Sequence, residues 1–346
     1  MSWETRIVYD RDLGPYLQAD DSSLATRVTG LVEHQKATWP MLREGYDALD
    51  HAEMKQLNVD GSFVLVQHNP RRIRSTAARV DRESVEQRGC FLCPDKLPAE
   101  EKALLYGDEF LLLCNPLPVL YQHLSVVHRD HVEQQVLTNI GLLLSLAADL
   151  GPQYLVLYNG PECGASAPDH LHFQACRRSA LPIETALGST EDPPAESCDI
   201  CDRHPRDDFE LFTMGDSGRT AIVFRATVAE RMAAWVHETL AELGRRSNRL
   251  EPMVNILCSH DGEKWTVIIF PRARHRPACF YAEGDSQLLV SPGAIDMAGV
   301  IVVPHREHFD RIGPDEVQAI YSEVSMPEDE VNDAVERVCE LAGAGD

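Results

Sequence analysis

No stretch of this chain stays apolar for the roughly 18 residues that a membrane-spanning helix requires. The first residues, Met1-Ser2-Trp3-Glu4-Thr5-Arg6, are polar and charged and lack the apolar segment of a secretory signal. Low-complexity tracts and long linkers are missing too. Cations are scarce: 32 Lys and Arg stand against 55 Asp and Glu, a formal net charge of −23. That balance excludes a general nucleic-acid surface, which needs clustered cations. An acidic protein can still hold a phosphate through a local patch of Arg, Lys, His and backbone N–H groups, so such patches are worth locating.

What is present fits a globular chain. Hydrophobic residues make up 44% and charged residues 25% of 346 residues, enough for two intimately packed halves. Ten cysteines without a secretion signal point to reduced thiols or metal ligands, and a cytoplasmic location is the expectation. Residues 20–55 read as helical, with Leu24, Val28, Leu31 and Val32 at helical spacing. Strands are predicted at "SFVLVQH", "EFLLLCNP", "HLSVVHRDH", "QYLVLYNG" and "HLHFQAC", and a helix over "VEQQVLTNIGLLLSLAADLG" that stops at Gly151. The second half adds "FELFTM", "TAIVFRA", "MVNILCS", "WTVIIFPR", "SQLLVSP" and "GVIVVPHREH", with helices over about 228–246 and 328–342. These signals divide the chain into a helical region 1–60, a first half 61–190, a Pro- and acid-rich excursion 191–208 and a second half 209–346. "SVVHRDHVEQQ" and "IVVPHREHFDRI" echo one another, which fits a duplicated α+β unit of antiparallel sheets flanked by helices.

The segment Pro161 to Arg178, "PECGASAPDHLHFQACRR", carries the most chemistry. On a strand, residues two apart share a face, so His170, His172 and Gln174 point one way and Leu171, Phe173 and Ala175 the other. A half-buried strand with polar residues facing water is the bland alternative. The loop before it, Gly164-Ala165-Ser166-Ala167-Pro168, is small enough to bring backbone N–H groups and the Ser166 hydroxyl close to an anion. An imidazole facing such a hole suits nucleophilic attack on phosphorus. Gln174 can hold a phosphoryl oxygen but takes no proton at neutral pH, which favours transfer over activation of water.

Two further patterns concern metal and phosphate. "RGCFLCPDKLP" spaces Cys90 and Cys93 as a zinc or redox pair, but Pro94 leaves no room for the long helix of a thioredoxin-like motif. A tetrahedral zinc site needs two more ligands; His170 is available, and His131 competes with His128 for the last place. Two buried thiols without metal are the alternative. Cys198, Cys201 and His204 have a metal-like spacing but no evident fourth ligand, so surface thiols are the simpler reading. "HNPRRIRSTAAR" holds Arg71, Arg72, Arg74 and Arg79, and "FPRARHRP" holds Arg272, Arg274, His275 and Arg276; Lys264 is a further candidate. The clusters read as phosphate clamps, with Arg71, Arg74, Arg272 and Arg274 as the named substrate contacts. Pairing with the many carboxylates is the alternative.

"GASAPDHLHFQ", "CFLCPDKLP", "CNPLPVLYQHLSVVHRDH" and "SPGAIDMAGVIVVP" resemble the histidine triad superfamily in its transferase branch, over most of residues 60–312. The segments are similar to diadenosine tetraphosphate phosphorylases, GDP-L-galactose phosphorylases and galactose-1-phosphate uridylyltransferases, and most of all to a bacterial phosphorylase-like branch known by a domain of unknown function. The hydrolases of the superfamily carry a third histidine where this chain has Gln174. The resemblance implies two histidine-triad-like halves, with only the first keeping the His-Leu-His-Phe-Gln strand. It implies His172 as nucleophile, Gln174 and Ser166 (with Gly164) on the phosphates, Asn159 supporting the loop, Asn115 contacting the nucleotide, and a structural zinc on Cys90, Cys93, His131 and His170. It also implies a nucleotidyltransferase, monomeric or homodimeric, that cleaves a dinucleoside polyphosphate or a nucleoside-diphosphate sugar with phosphate as acceptor. Transfer of NMP to a sugar 1-phosphate, a nucleotide hydrolase and a non-catalytic nucleotide sensor are the alternatives.

Overall fold

The computed structural model describes residues 3–17, 21–78, 82–178, 181–188, 209–247 and 251–343. The excursion 191–208, with Cys198, Cys201 and His204, lies outside them, as does Arg79.

The helical start divides in two. Ser23 caps α1 (Leu24–Thr38) by accepting the Thr26 N–H at 3.2 Å, and Pro40 ends that helix and opens α2 (Pro40–Asp50). Two strands follow as a hairpin, β1 (Glu53–Val59) and β2 (Ser62–His68). Next come β3 (Ala103–Tyr106), β4 (Phe110–Cys114), β5 (Leu124–His128), α3 (Ile140–Leu150), β6 (Tyr154–Asn159) and β7 (His172–Arg177). The second half contributes β8 (Phe209–Asp216), β9 (Arg219–Ala226), α4 (Ala229–Ser247), β10 (Val254–His260), β11 (Trp265–Pro271), β12 (Val300–Val303), α5 (Pro314–Val324) and α6 (Glu328–Gly343).

Among the described residues, nine strands form one antiparallel sheet in the order β3-β4-β5-β7-β6-β10-β11-β9-β8. The two halves of the sequence meet where β6 pairs with β10, Asn159 opposite Asn255 and Val156 opposite Cys258. A smaller sheet, β1-β2-β12, is mixed, since β12 runs parallel to β2. The large sheet is buried on both faces, so its strands read as nearly continuous apolar runs. Tyr158, Phe173, Ile256 and Cys258 pack under α1, α3, α4 and α6. Leu155, Leu157, Leu257 and Phe270 pack on the other side against β2, β12 and α5. The fold is therefore α+β, antiparallel in its main sheet and flanked by helices, as the sequence suggests.

Four segments depart from the sequence reading. Glu53–Val59, placed in the helical region 1–60, is strand β1, because its backbone pairs with β2 along its whole length. The helix expected from Val132 begins at Ile140, because residues 132–135 are held out of helical form by tertiary hydrogen bonds and Val136–Asn139 is a turn, its Asn139 N–H bonded to the Val136 carbonyl. "SQLLVSP" is buried coil rather than strand: Leu288 and Val290 enter the core, but Leu288 N–H bonds to the Cys279 carbonyl and Leu289 N–H to His308. The echoed strands occupy different places, β5 inside the large sheet and β12 in the small one. Among the described residues no helix is long and apolar enough to cross a membrane.

Candidate active site

The first signature of the site is a pair of histidines with opposite tautomers. His172 opens β7, is 3% exposed, and sets Nδ1 at 2.8 Å from the His170 carbonyl oxygen. That contact places the proton on Nδ1 and the lone pair on Nε2. Burial, reinforced by His170, pulls the imidazole down to about 4, so it is neutral at pH 7. His170 sits in the bend just before the strand. Its Nε2 donates to the His128 carbonyl at 2.7 Å, leaving the Nδ1 lone pair for other use.

That lone pair faces sulfur. His170 Nδ1 lies 3.2 Å from Cys90 Sγ and 3.7 Å from Cys93 Sγ, and His131 Nδ1 lies 3.3 Å from Cys93 Sγ. All four donor atoms fall within 4.8 Å of one another. In a tetrahedral site with bonds of about 2.3 Å to sulfur and 2.0–2.1 Å to nitrogen, neighbouring donors stand about 3.5 Å apart. The cluster can hold a metal ion. Asp169 adds a carboxylate 3.5 Å from His131 Nε2, and its other oxygen is buried without a partner. His128 is not a ligand: its Nδ1 meets the Asp130 backbone and its ring packs edge-on against Phe110.

Gln174, one step along the face from His172, lines a cleft with Arg72, Asn159, Gly164, Ser166, His275, Arg276, Ser291 and Asp296. Its amide is oriented from behind. His123 accepts the Val119 N–H on Nδ1 at 3.3 Å, so its Nε2 donates to Gln174 Oε1 at 3.0 Å. The Gln174 NH2 is left as the outward donor. Burial, with Arg72 nearby, lowers His123 to about 4, which keeps it in this single-donor form.

The loop geometry explains its small residues. Gly164 has φ +100°, and a Cβ there would lie 2.8 Å from the Gly293 Cα. Asn159 locks the two loops together: its Oδ1 accepts the Ala294 N–H at 2.7 Å and Asn255 Nδ2 at 2.8 Å.

Two family models and several solved structures match the chain. Residues 31–177 match the family model described as "Domain of unknown function (DUF4922)", and residues 206–345 match "GDPGP1-like, C-terminal domain". The yeast Ap4A phosphorylase Apa2 superposes over 83% of this chain and 97% of its own, with a TM-score of 0.55 and 16% identity. The chain therefore shares the fold of the yeast Ap4A phosphorylase. The same yeast protein in complex with Ap4A matches at 17% identity and a TM-score of 0.54, over 84% of this chain and 97% of its own. An ADP-glucose phosphorylase from Arabidopsis thaliana with bound ADP-glucose matches at 15% identity and a TM-score of 0.36, over 80% of this chain and 100% of its own. No curated protein sequence matches the chain.

Around the cleft the arginines sort themselves by position. Arg72 and Arg276 line the cleft, one from each cluster. Arg72 spends one N–H on the Leu117 carbonyl at 3.0 Å, and its charge faces buried Asp296, whose carboxyl burial raises to about 6. Arg276 stacks on Phe280 at 4.1 Å and bonds Ser291 Oγ at 2.8 Å. Arg71 points outward to Glu44, and the Arg74 side chain lies outside the described residues. Arg272 is a strut, not a clamp: at 2% exposure, it donates to Asn255 and to the carbonyls of Pro292, Val324, Arg274 and His275. Arg274 stands on the outer rim, paired with Glu323 at 2.6 Å. Asn115 is turned away from the cleft, its side chain accepting the Leu117 N–H at 3.0 Å in a local turn. His275, named within the "FPRARHRP" cluster, does line the cleft; His123, Asn255 and Asp296 belong to the site without any local signature, and only their long-range partners identify them.

Proposed function

We propose that this protein is a nucleotidyltransferase that carries an NMP group on His172 and delivers it to a phosphorylated acceptor. The observation that carries this reading is a neutral imidazole whose Nδ1 is committed to the backbone, on one strand face with an amide donor that lines a cationic cleft. The donor is a dinucleoside polyphosphate or a nucleoside-diphosphate sugar, and the acceptor is phosphate. The likeness in fold to the yeast Ap4A phosphorylase supports that choice. Transfer to a sugar 1-phosphate is the nearest variant.

In the first step His172 Nε2 forms a bond to phosphorus, and the bond from phosphorus to the leaving oxygen breaks with its electrons going to that oxygen. The Nδ1–H held by the His170 carbonyl stabilises the imidazolium that results. The Gln174 NH2 and Ser166 donate to phosphoryl oxygens. In the second step an acceptor oxygen, already anionic, bonds to phosphorus, and the P–N bond breaks to restore neutral His172. Arg72 and Arg276 hold the acceptor's charge. Cys90, Cys93, His131 and His170 would hold zinc, which would supply structural anchoring of the loop and strand rather than chemistry.

The experiment is to incubate the protein with ATP, diadenosine tetraphosphate and several nucleoside-diphosphate sugars, with and without phosphate, and identify the products. Product formation is expected to rise steeply with phosphate. NMP release at the same rate with and without every phosphorylated acceptor would replace this reading by hydrolysis. Gln174→His is expected to raise acceptor-independent NMP release by roughly 100-fold, since it places a base beside the intermediate. Arg72→Ala is expected to raise the acceptor's KM roughly tenfold, the cost of a lost charge-assisted hydrogen bond. Steady-state kinetics with varied phosphate checks it.

A further inference from the structure

The ladder between β6 and β7 runs from Tyr154–Arg177 to Leu157–Gln174 and stops there. Its continuation would pair Asn159 with His172. The hydrogen-bonding alternation confirms the direction: His128 N–H bonds to the Leu171 carbonyl on the β5 side, so His172, the next residue, turns its own N–H and C=O towards β6. In place of Asn159, those groups meet a side chain. Gln134 Oε1 accepts the His172 N–H at 2.8 Å, and Gln134 Nε2 donates to the His172 carbonyl at 3.0 Å and to the Asn159 carbonyl at 2.9 Å.

Gln134 is 2% exposed and comes from the extended segment after β5. Its amide is inserted in the main sheet as a substitute peptide group, parting the two strands at the reacting residue. The insertion is anchored: the Val136 N–H bonds to half-buried Glu251 at 3.1 Å, and Leu171 N–H bonds to the Val132 carbonyl at 2.8 Å.

We infer that Gln134 is the positioning residue for His172, fixing both its N–H and its C=O so that the Nδ1–H meets the His170 carbonyl and Nε2 points at the phosphorus. This rests on the nucleotidyl-transfer reading above. A terminal amide is required because the site asks for one acceptor and two donors. Methionine matches its length with neither, and glutamate turns an oxygen towards two carbonyls.

The test compares wild type with Gln134→Met and Gln134→Glu. Single-turnover formation of the nucleotidyl-enzyme is expected to slow roughly 100-fold per folded molecule in both, with donor affinity within about threefold, because orientation rather than binding is lost. In histidine-labelled protein, His172 is expected as one Nδ1–H tautomer in wild type and as a mixture in Gln134→Met. Wild type alone provides a third readout: the Gln134 side-chain NH2 is expected to exchange slowly with solvent and to couple to the His172 amide. Variants that react at the wild-type rate with an unchanged His172 tautomer overturn the inference, as does a fast-exchanging Gln134 amide should the variants not fold. If wild type transfers nothing from any donor, the functional reading fails instead, and the tautomer and exchange measurements still decide the role of Gln134.

Discussion

His172→Ala is expected to lose nucleotidyl transfer by roughly 10⁴-fold or more while the protein stays folded. In the proposed mechanism this change deletes the atom that forms the P–N bond, and groups acting as a unit with it cannot substitute. Gln174, held by His123 from behind, and the two cleft arginines would then bind a substrate that has nothing to attack it. The structural cost is confined to one backbone hydrogen bond and a small void, because the His172 main chain is held by Gln134 independently of the ring. A fall of a few degrees in Tm is consistent with that. The checks are product formation with diadenosine tetraphosphate and phosphate, and trapping of an acid-labile, base-stable adduct on wild type that the variant lacks. Full activity in the variant would exclude the covalent route.

The second large effect concerns metal. Protein purified without chelator is expected to contain about one zinc per chain. Cys90→Ser is expected to lose the zinc and to lower Tm by on the order of 10 °C, since ligation free energy is folding free energy. The cluster joins three separate stretches, the Cys90–Cys93 turn, His131 beyond β5 and His170 before β7. Without a cation, burial pushes the Cys90 thiol up to about 12, so a protonated thiol would face the His170 imidazole at 3.2 Å, with only a weak S–H hydrogen bond in place of ligation. Elemental analysis and thermal melts of the two proteins check both parts. Metal-free wild type with the same Tm as the chelated and reloaded protein would rule the site out.

Much of the site was legible because its residues obey local rules. Period-two alternation put His172 and Gln174 on one face, and Cys-x-x-Cys announced a ligand pair. What stayed hidden depends on partners far along the chain. Gln134 looks like one more residue of an apolar, helix-length segment; its role exists only because His172 and Asn159 lie beside it in space. Arg71 and Arg72 are equivalent in sequence, yet one meets Glu44 at the surface and the other enters the cleft. Arg272 could not be told from a phosphate clamp until the carbonyls around it were seen. "SQLLVSP" shows the limit of apolar runs: they report burial, not a strand partner.

The small sheet has a consequence for how the molecule comes into being. β2 finds its parallel partner in β12, with Gln67 opposite Val302 and His68 opposite Val303. Arg72 follows β2, and Val302 lines the same cleft as Arg72. On a ribosome adding about 5–20 residues each second, β2 waits roughly 10–50 s for that partner to emerge. During that interval the histidine strand is already made, but the wall that shapes its cleft is not. His172 is therefore synthesised long before its cleft is complete, and on the proposed mechanism a nascent chain could not act on nucleotide until nearly its whole length had been translated.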